Sequence, residues 1–201
     1  MHPPISGKPL RLSMVEPSNV GGWHAHRFIE YHLDLPQIPD NLLFTTVDEI
    51  RNNCEVIYDA HMYKTYKAPQ ELNDYLTPYM TDVLKLHLAD NMQVRYQVMT
   101  EQLPIHKDYD SKGVHKVLNY HITTGGDNVY TRWWDMPEDA NLIFAHGAFD
   151  YHMGDHYDQS KKLFETLIPT NKWHKLTVNI PHDIGYITSP RIGLRLWNTW
   201  L

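Results

Sequence analysis

A chain of 201 residues is long enough to bury a substantial core and has the size of one domain. With 42% hydrophobic and 21% charged residues its composition is globular rather than disordered, and a formal charge of −6 speaks against generic binding to a nucleic-acid backbone. The single cysteine, Cys54, excludes an internal disulfide framework and a cysteine-based zinc site.

No apolar run approaches the roughly 20 residues needed to cross a bilayer. The opening "MHPPISGKPLRLSM" lacks the apolar centre of a signal peptide, so a soluble, cytoplasmic protein is expected, with no membrane and no nucleic-acid partner. The first forty residues are rich in proline and glycine and read as turns and short extended pieces. "TTVDEIRNNC" reads as a short helix capped by Thr46 or Asp48. "APQELNDYLTPYMTDVLKLHLAD" is the best helical segment, with Leu72, Tyr75, Leu76, Tyr79, Met80, Val83, Leu84 and Leu86 at three- and four-residue spacing. Pro69 suits its first turn, and Pro78 is expected to kink it or to start a second helix.

After Asn91 the texture changes to strands. "MQVRYQVMTEQL", "HKVLNYHITTG", "NVYTRWWDM", "KWHKLTVNI" and "RIGLRLWNTW" are rich in β-branched and aromatic residues and are separated by turn signals. "TTGGDN" reads as a hairpin turn. "LIFAHGAF" suggests a strand and "DQSKKLFETLI" a short helix capped near Asp158 or Ser160. Helices followed by a run of strands predict a mainly β fold with flanking helices, a sandwich or barrel with helices packed on one face. Residues 1–201 are expected to form a single domain, with 1–92 an extended and helical part and 93–201 the β core.

Fourteen histidines are the compositional oddity. Within "LPIHKDYD", His106 and Asp108 are two apart, so on a strand they share one face and can chelate one ion, with Lys107 and Tyr109 facing away. Two histidines and a carboxylate with open positions suit non-haem Fe(II). "HKLTVNIPHDIGYITSPRIGLRL" adds His182 after a strand-like run and Arg191 beyond a turn, where an antiparallel return would bring Arg191 beside the strand of His182. A buried arginine facing a metal calls for an anion, and its planar fork matches a carboxylate. The pairs His24/His26 and His152/His156 also have ligand-like spacing. However, "HMGDH" lacks the glutamate of a metalloprotease helix, and "WHAHRF" sits in an irregular region.

H-x-D, a later histidine and an arginine about ten residues beyond it resemble the Fe(II)- and 2-oxoglutarate-dependent dioxygenases. The likeness runs over roughly Val94 to Trp197 and is nearest the prolyl-hydroxylase-like and aspartyl/asparaginyl-hydroxylase-like branches. It implies a double-stranded β-helix, a cupin-like jelly-roll with the N-terminal helices packed on one sheet. It also implies iron held by His106, Asp108 and His182 and 2-oxoglutarate paired with Arg191. The reaction would hydroxylate an unactivated C–H bond with O2, decarboxylating 2-oxoglutarate to succinate, on a peptidyl side chain or a small molecule such as an amino acid. By the same resemblance Tyr96 and His121 are candidate contacts for 2-oxoglutarate. Strand parity turns Asn119 and His121 toward the site, which makes Asn119 a further candidate contact for the co-substrate, with Leu118, Tyr120 and Ile122 under the helices. Arg195 shares the parity of Arg191 and faces substrate or ends in a salt bridge.

Plainer readings stand beside these. His106 and Asp108 can be polar strand-end residues, His182 can cap a turn with Asp183, and Arg191 can lie on the surface. Tyr96, Asn119 and His121 divide between site and core, and Trp133 and Trp134 read as core and edge aromatics, although "RWW" could line a mouth. Other chemistries of the same architecture are a cupin-like metal protein with more histidine ligands or a non-enzymatic jelly-roll.

Overall fold

The computed structural model describes residues 25–32, 35–82, 93–108, 116–137, 140, 142–145, 148–151 and 160–197; His24, Tyr109, His152 and His156 lie outside these, as do 83–92 of the long helical segment. Two helices precede the strand-rich part. The first, α1 (Val47–Asn53), opens on a capping box in which the Thr46 hydroxyl accepts from the Glu49 amide at 3.2 Å and Glu49 Oε2 accepts from the Thr46 amide at 3.0 Å. The second, α2 (Gln70–Asp82), buries Leu72, Leu76 and Met80, one residue per turn on a single face, and runs through Pro78.

The strands are β1 (Ile29–His32), β2 (Val56–Asp59), β3 (Tyr63–Lys67), β4 (Gln93–Met99), β5 (Leu103–Asp108), β6 (Lys116–Thr124), β7 (Tyr130–Asp135), β8 (Leu142–Ala145), β9 (Ala148–Tyr151), β10 (Lys161–Leu167), β11 (Trp173–Thr177), β12 (His182–Gly185) and β13 (Arg191–Trp197). They form a seven-stranded sheet in the order β1-β11-β6-β13-β4-β3-β2 and a six-stranded sheet in the order β10-β7-β12-β5-β9-β8. The pairs β4–β13, β5–β12, β6–β11 and β7–β10 are nested one inside the next, all antiparallel, and alternate between the two sheets. That nesting is the jelly-roll, or double-stranded β-helix. β1, the β2–β3 pair and the β8–β9 hairpin only lengthen the sheet edges.

Two connections differ from the sequence expectation for one reason. "TTGGDN" does not close a hairpin, because β6 and β7 lie in different sheets; nor do β12 and β13 pair, so Arg191 faces the sheet of His182 from across the sandwich. Periodicity shows which face a residue takes, but not which sheet the strand joins. The segment predicted as a helix near Ser160 is instead the edge strand β10, paired to β7.

Strand alternation divides the core. Tyr96, Val98, Leu118, Tyr120, Ile192, Leu194 and Leu196 point from the seven-stranded sheet onto Ile50, Leu72, Leu76 and Met80 of the helices. The opposite parity faces the second sheet. There one end is filled by Phe28, Val117, Trp133, Leu176 and Val178, with Phe164 packed against them. Trp133 is fully buried, donates from Nε1 to the Thr177 carbonyl at 2.8 Å and lies 5.5 Å from the Phe28 ring. Trp133→Ala is expected to cost about 3–5 kcal/mol through cavity and lost contacts, read as a lower midpoint in urea unfolding. Among the described residues no helix is long and apolar enough to cross a membrane.

Candidate metal centre

β5 and β12 run antiparallel with His182 directly opposite His106, and Asp108 follows two residues along the same face. The donor atoms of His106, Asp108 and His182 lie within 4.8 Å of one another, and both imidazoles are almost wholly buried. Each ring is tethered to the backbone carbonyl two residues before it: Nδ1 of His106 lies 2.7 Å from the Pro104 carbonyl and Nδ1 of His182 lies 2.9 Å from the Ile180 carbonyl. A carbonyl only accepts, so each Nδ1 carries a hydrogen and Nε2 is the nitrogen each neutral ring would offer as a ligand. Nε2 of His106 stands 3.5 Å from Asp108 Oδ1, too long for a good hydrogen bond, and the imidazole centroids are 4.3 Å apart. Lone pairs gathered so closely repel one another unless a cation lies among them. Two imidazoles and one carboxylate fit a divalent transition metal.

The charge states agree with that donor set. Burial and the neighbouring His106 push the His182 imidazole down to about 4, only partly offset by Asp108, so it is neutral near neutrality. Burial alone would raise the Asp108 carboxyl; the Arg195 guanidinium first, and then the histidines once acid protonates them, outweigh it and hold the group well below the usual carboxylate range. Arg195 Nη1 donates to Asp108 Oδ2 at 3.1 Å, and its Nε donates to Asn119 Oδ1 at 3.2 Å.

From the facing sheet comes Arg191, 3% exposed. Its Nη2 lies 3.2 and 3.3 Å from the two ring nitrogens of His121 and 3.4 Å from the Thr131 hydroxyl on β7, across the sandwich. Nη1 is buried and has no hydrogen-bond partner among the described residues. Gly125 makes this placement possible: it adopts a φ of +86°, and a Cβ there would stand 2.8 Å from Arg191 Cβ. Burial lowers Arg191 to about 10, which still leaves it charged near neutrality. A buried cation with an unused donor and no carboxylate beside it is costly, and an anionic group from outside the chain would satisfy it. His121 is held well below its ordinary value, by burial first and then by the charges of Arg191, His174 and Arg195.

The structure thus brings His106, Asp108, His182, Arg191, Asn119 and His121 into the space between the sheets. It does not bring Tyr96 there. Tyr96 sits on the opposite face in the core against the helices, and its hydroxyl accepts from the Phe44 amide at 2.9 Å. The candidate contact to 2-oxoglutarate is therefore withdrawn; within one strand, Arg95 and Gln97 take the inner face and Tyr96 the outer. Trp133 belongs to the core, and Asp183 does not cap a turn with His182 but takes a two-point bond from Arg132, at 2.8 and 2.6 Å. His174 was not singled out from sequence: fully buried, its ring stands edge-on to His121 at 4.5 Å, and Nδ1 donates to the Lys172 carbonyl at 3.0 Å. Alternation in "WHKLT", with His174 and Leu176 on one face, was the available signal.

Because His121 and His182 are buried neutral, acid should weaken the metal-free fold. The unfolded chain takes up protons near the ordinary imidazole value of about 6.5 that the folded chain refuses. Stability therefore falls as pH drops from about 6.5 toward about 4, by on the order of 2–3 kcal/mol for His182 alone. Urea unfolding in chelator at about pH 7 and about pH 5 checks this; equal midpoints would contradict it.

No family model matches the chain, and no curated protein matches it in sequence. Among solved structures it resembles a variant of Bacillus subtilis oxalate decarboxylase (10% identity over 73% of this chain and 28% of that one, TM-score 0.32). Others are E. coli ycfD (9%, 71% and 35%, TM-score 0.37) and a structure from the DMSP lyases RdDddP and RnDddQII (9%, 73% and 57%, TM-score 0.34). The chain spans only about a third of the length of the first two. Likeness at this level goes no further than architecture, which the strand order establishes by itself. The described residues form a cupin-like jelly-roll whose buried His–Asp–His cluster fits a divalent metal ion.

Proposed function

We propose that this chain is an Fe(II)- and 2-oxoglutarate-dependent oxygenase that hydroxylates an unactivated C–H bond of a peptidyl side chain or a free amino acid, releasing succinate. The observation that carries this reading is the pairing of two unsatisfied features in one interior. Three lone-pair donors converge on one sheet, and a buried guanidinium with a spare N–H enters from the other. A metal protein needing only its ion would have no use for Arg191.

His106, Asp108 and His182 would hold the iron, and iron bound there supplies O2 activation coupled to decarboxylation of 2-oxoglutarate. Arg191 would bind the far carboxylate of 2-oxoglutarate through its fork. His121, neutral and packed on that guanidinium, and Thr131 fix its direction. The Phe28–Trp133–Leu176 cluster closes one end of the interior and excludes water from it. The cytoplasm is the expected setting, and 93–201 would be the catalytic part, backed by the helices of the N-terminal part.

The test is anaerobic loading of purified protein with Fe(II), then 2-oxoglutarate and O2, with succinate measured. Iron-dependent succinate formation, abolished by chelator, is expected. Tight metal binding with no succinate and no affinity for 2-oxoglutarate would favour a cupin-like protein of other chemistry.

A further inference from the structure

A second contrast flanks His182. Of two arginine–carboxylate pairs, one buried and one partly buried, each holds its carboxylate differently. Arg132 grips Asp183 with the full fork, Nε to Oδ1 at 2.8 Å and Nη2 to Oδ2 at 2.6 Å, so both oxygens are used. Arg195 meets Asp108 from the other side of its guanidinium, Nη1 to Oδ2 at 3.1 Å, while the Nε edge, the one Arg132 uses, is turned to Asn119 Oδ1 at 3.2 Å. The register places Asn119 directly opposite Arg195 on the neighbouring strand, so the diversion is built into the sheet. Oδ1, the oxygen left over, is the one that faces His106 Nε2.

From this we infer that Arg195 and Asn119 are positioning residues that set the denticity of Asp108 toward the metal. Arg195 occupies Oδ2, and Asn119 keeps it from taking Oδ1 as well. The carboxylate then offers the ion a single oxygen, and the coordination position that a two-oxygen carboxylate would fill stays open for an exogenous ligand. The inference rests on the reading of His106, Asp108 and His182 as a metal centre, and it adds to that reading how the centre is kept open.

Two variants separate the roles. Arg195→Gln removes the grip on Oδ2; Asn119→Leu keeps both charges but releases the Nε edge, so that the guanidinium can turn that edge onto Asp108 as Arg132 does on Asp183. Binding of Mn(II) is measured by calorimetry, and the d–d absorption of the Co(II)-loaded protein reports the coordination. Both variants are expected to bind Mn(II) about 10- to 100-fold more weakly than the unaltered chain, the range for outer partners of metal ligands. Both should also shift the Co(II) bands, and Arg195→Lys should recover part of the loss. Asn119→Leu answers the concern that Arg195→Gln might only unfold the chain around an uncompensated Asp108. Unchanged Mn(II) affinity and Co(II) bands in Asn119→Leu would overturn the inference while leaving the metal centre standing. If the unaltered chain bound neither ion, the metal centre itself would fail, and the inference with it.

Discussion

His106→Ala is expected to remove metal binding, with affinity for Mn(II) or Fe(II) lowered beyond the roughly 10- to 100-fold typical of losing an outer partner. The substitution deletes one of three donors and leaves an imidazole and a single carboxylate oxygen on different strands. Turnover of 2-oxoglutarate should fall to background in the same preparation. The fold should survive, because His106 lies between the sheets and the hydrophobic clusters that hold them together are built without it. The matched control is His26→Ala, an exposed histidine outside the cluster. Calorimetric titration decides: if His106→Ala binds metal like the unaltered chain, or if His26→Ala loses it equally, the assigned donors are wrong.

What the sequence disclosed follows from what strand alternation can carry. His106 with Asp108, and Asn119 with His121, were assignable to one face because side chains alternate along β5 and β6, and the structure puts each pair on a common face. The helix α1 announced itself through Thr46 and Glu49, whose reciprocal bonds are local. Sheet membership was not legible. Whether β12 and β13 pair or face one another depends on contacts with β4, β5, β6 and β7, far away in the chain. β2 and β3 are illegible for the same reason: "VIYD" and "YKTYK" are short, and β3 is placed by pairing with β4. β10 misled because "KKLFETLI" has apolar residues at helical spacing, yet its Phe164 is set by Trp133 of the neighbouring strand. Tyr96 was a different kind of error. Its distance from His106 along the chain suggested a role, whereas its parity with Val94 and Val98 already assigned it to the face under the helices.

The second large effect concerns Arg191. Arg191→Met is expected to weaken 2-oxoglutarate binding by about 100-fold, from loss of charge-assisted hydrogen bonds worth about 1.5–3 kcal/mol each. Metal affinity should hardly change, because Arg191 touches His121 and Thr131 and none of the three donors. The two losses are therefore separable: His106→Ala removes the ion, and Arg191→Met leaves the ion but loses the co-substrate. Stability moves the other way. In the ligand-free chain Arg191 is a buried cation whose Nη1 has no partner, and replacing such a charge by an apolar side chain of similar reach is neutral or stabilising. A urea midpoint equal to or above that of the unaltered chain is expected, together with the weaker co-substrate binding. Arg191→Lys should not restore affinity fully, since an ammonium has no planar fork to match a carboxylate. If Arg191→Met binds 2-oxoglutarate as the unaltered chain does, then the spare N–H does not await that carboxylate. If instead the variant unfolds, Arg191 is an ordinary structural residue, and the pairing of donor cluster and unsatisfied arginine loses its meaning.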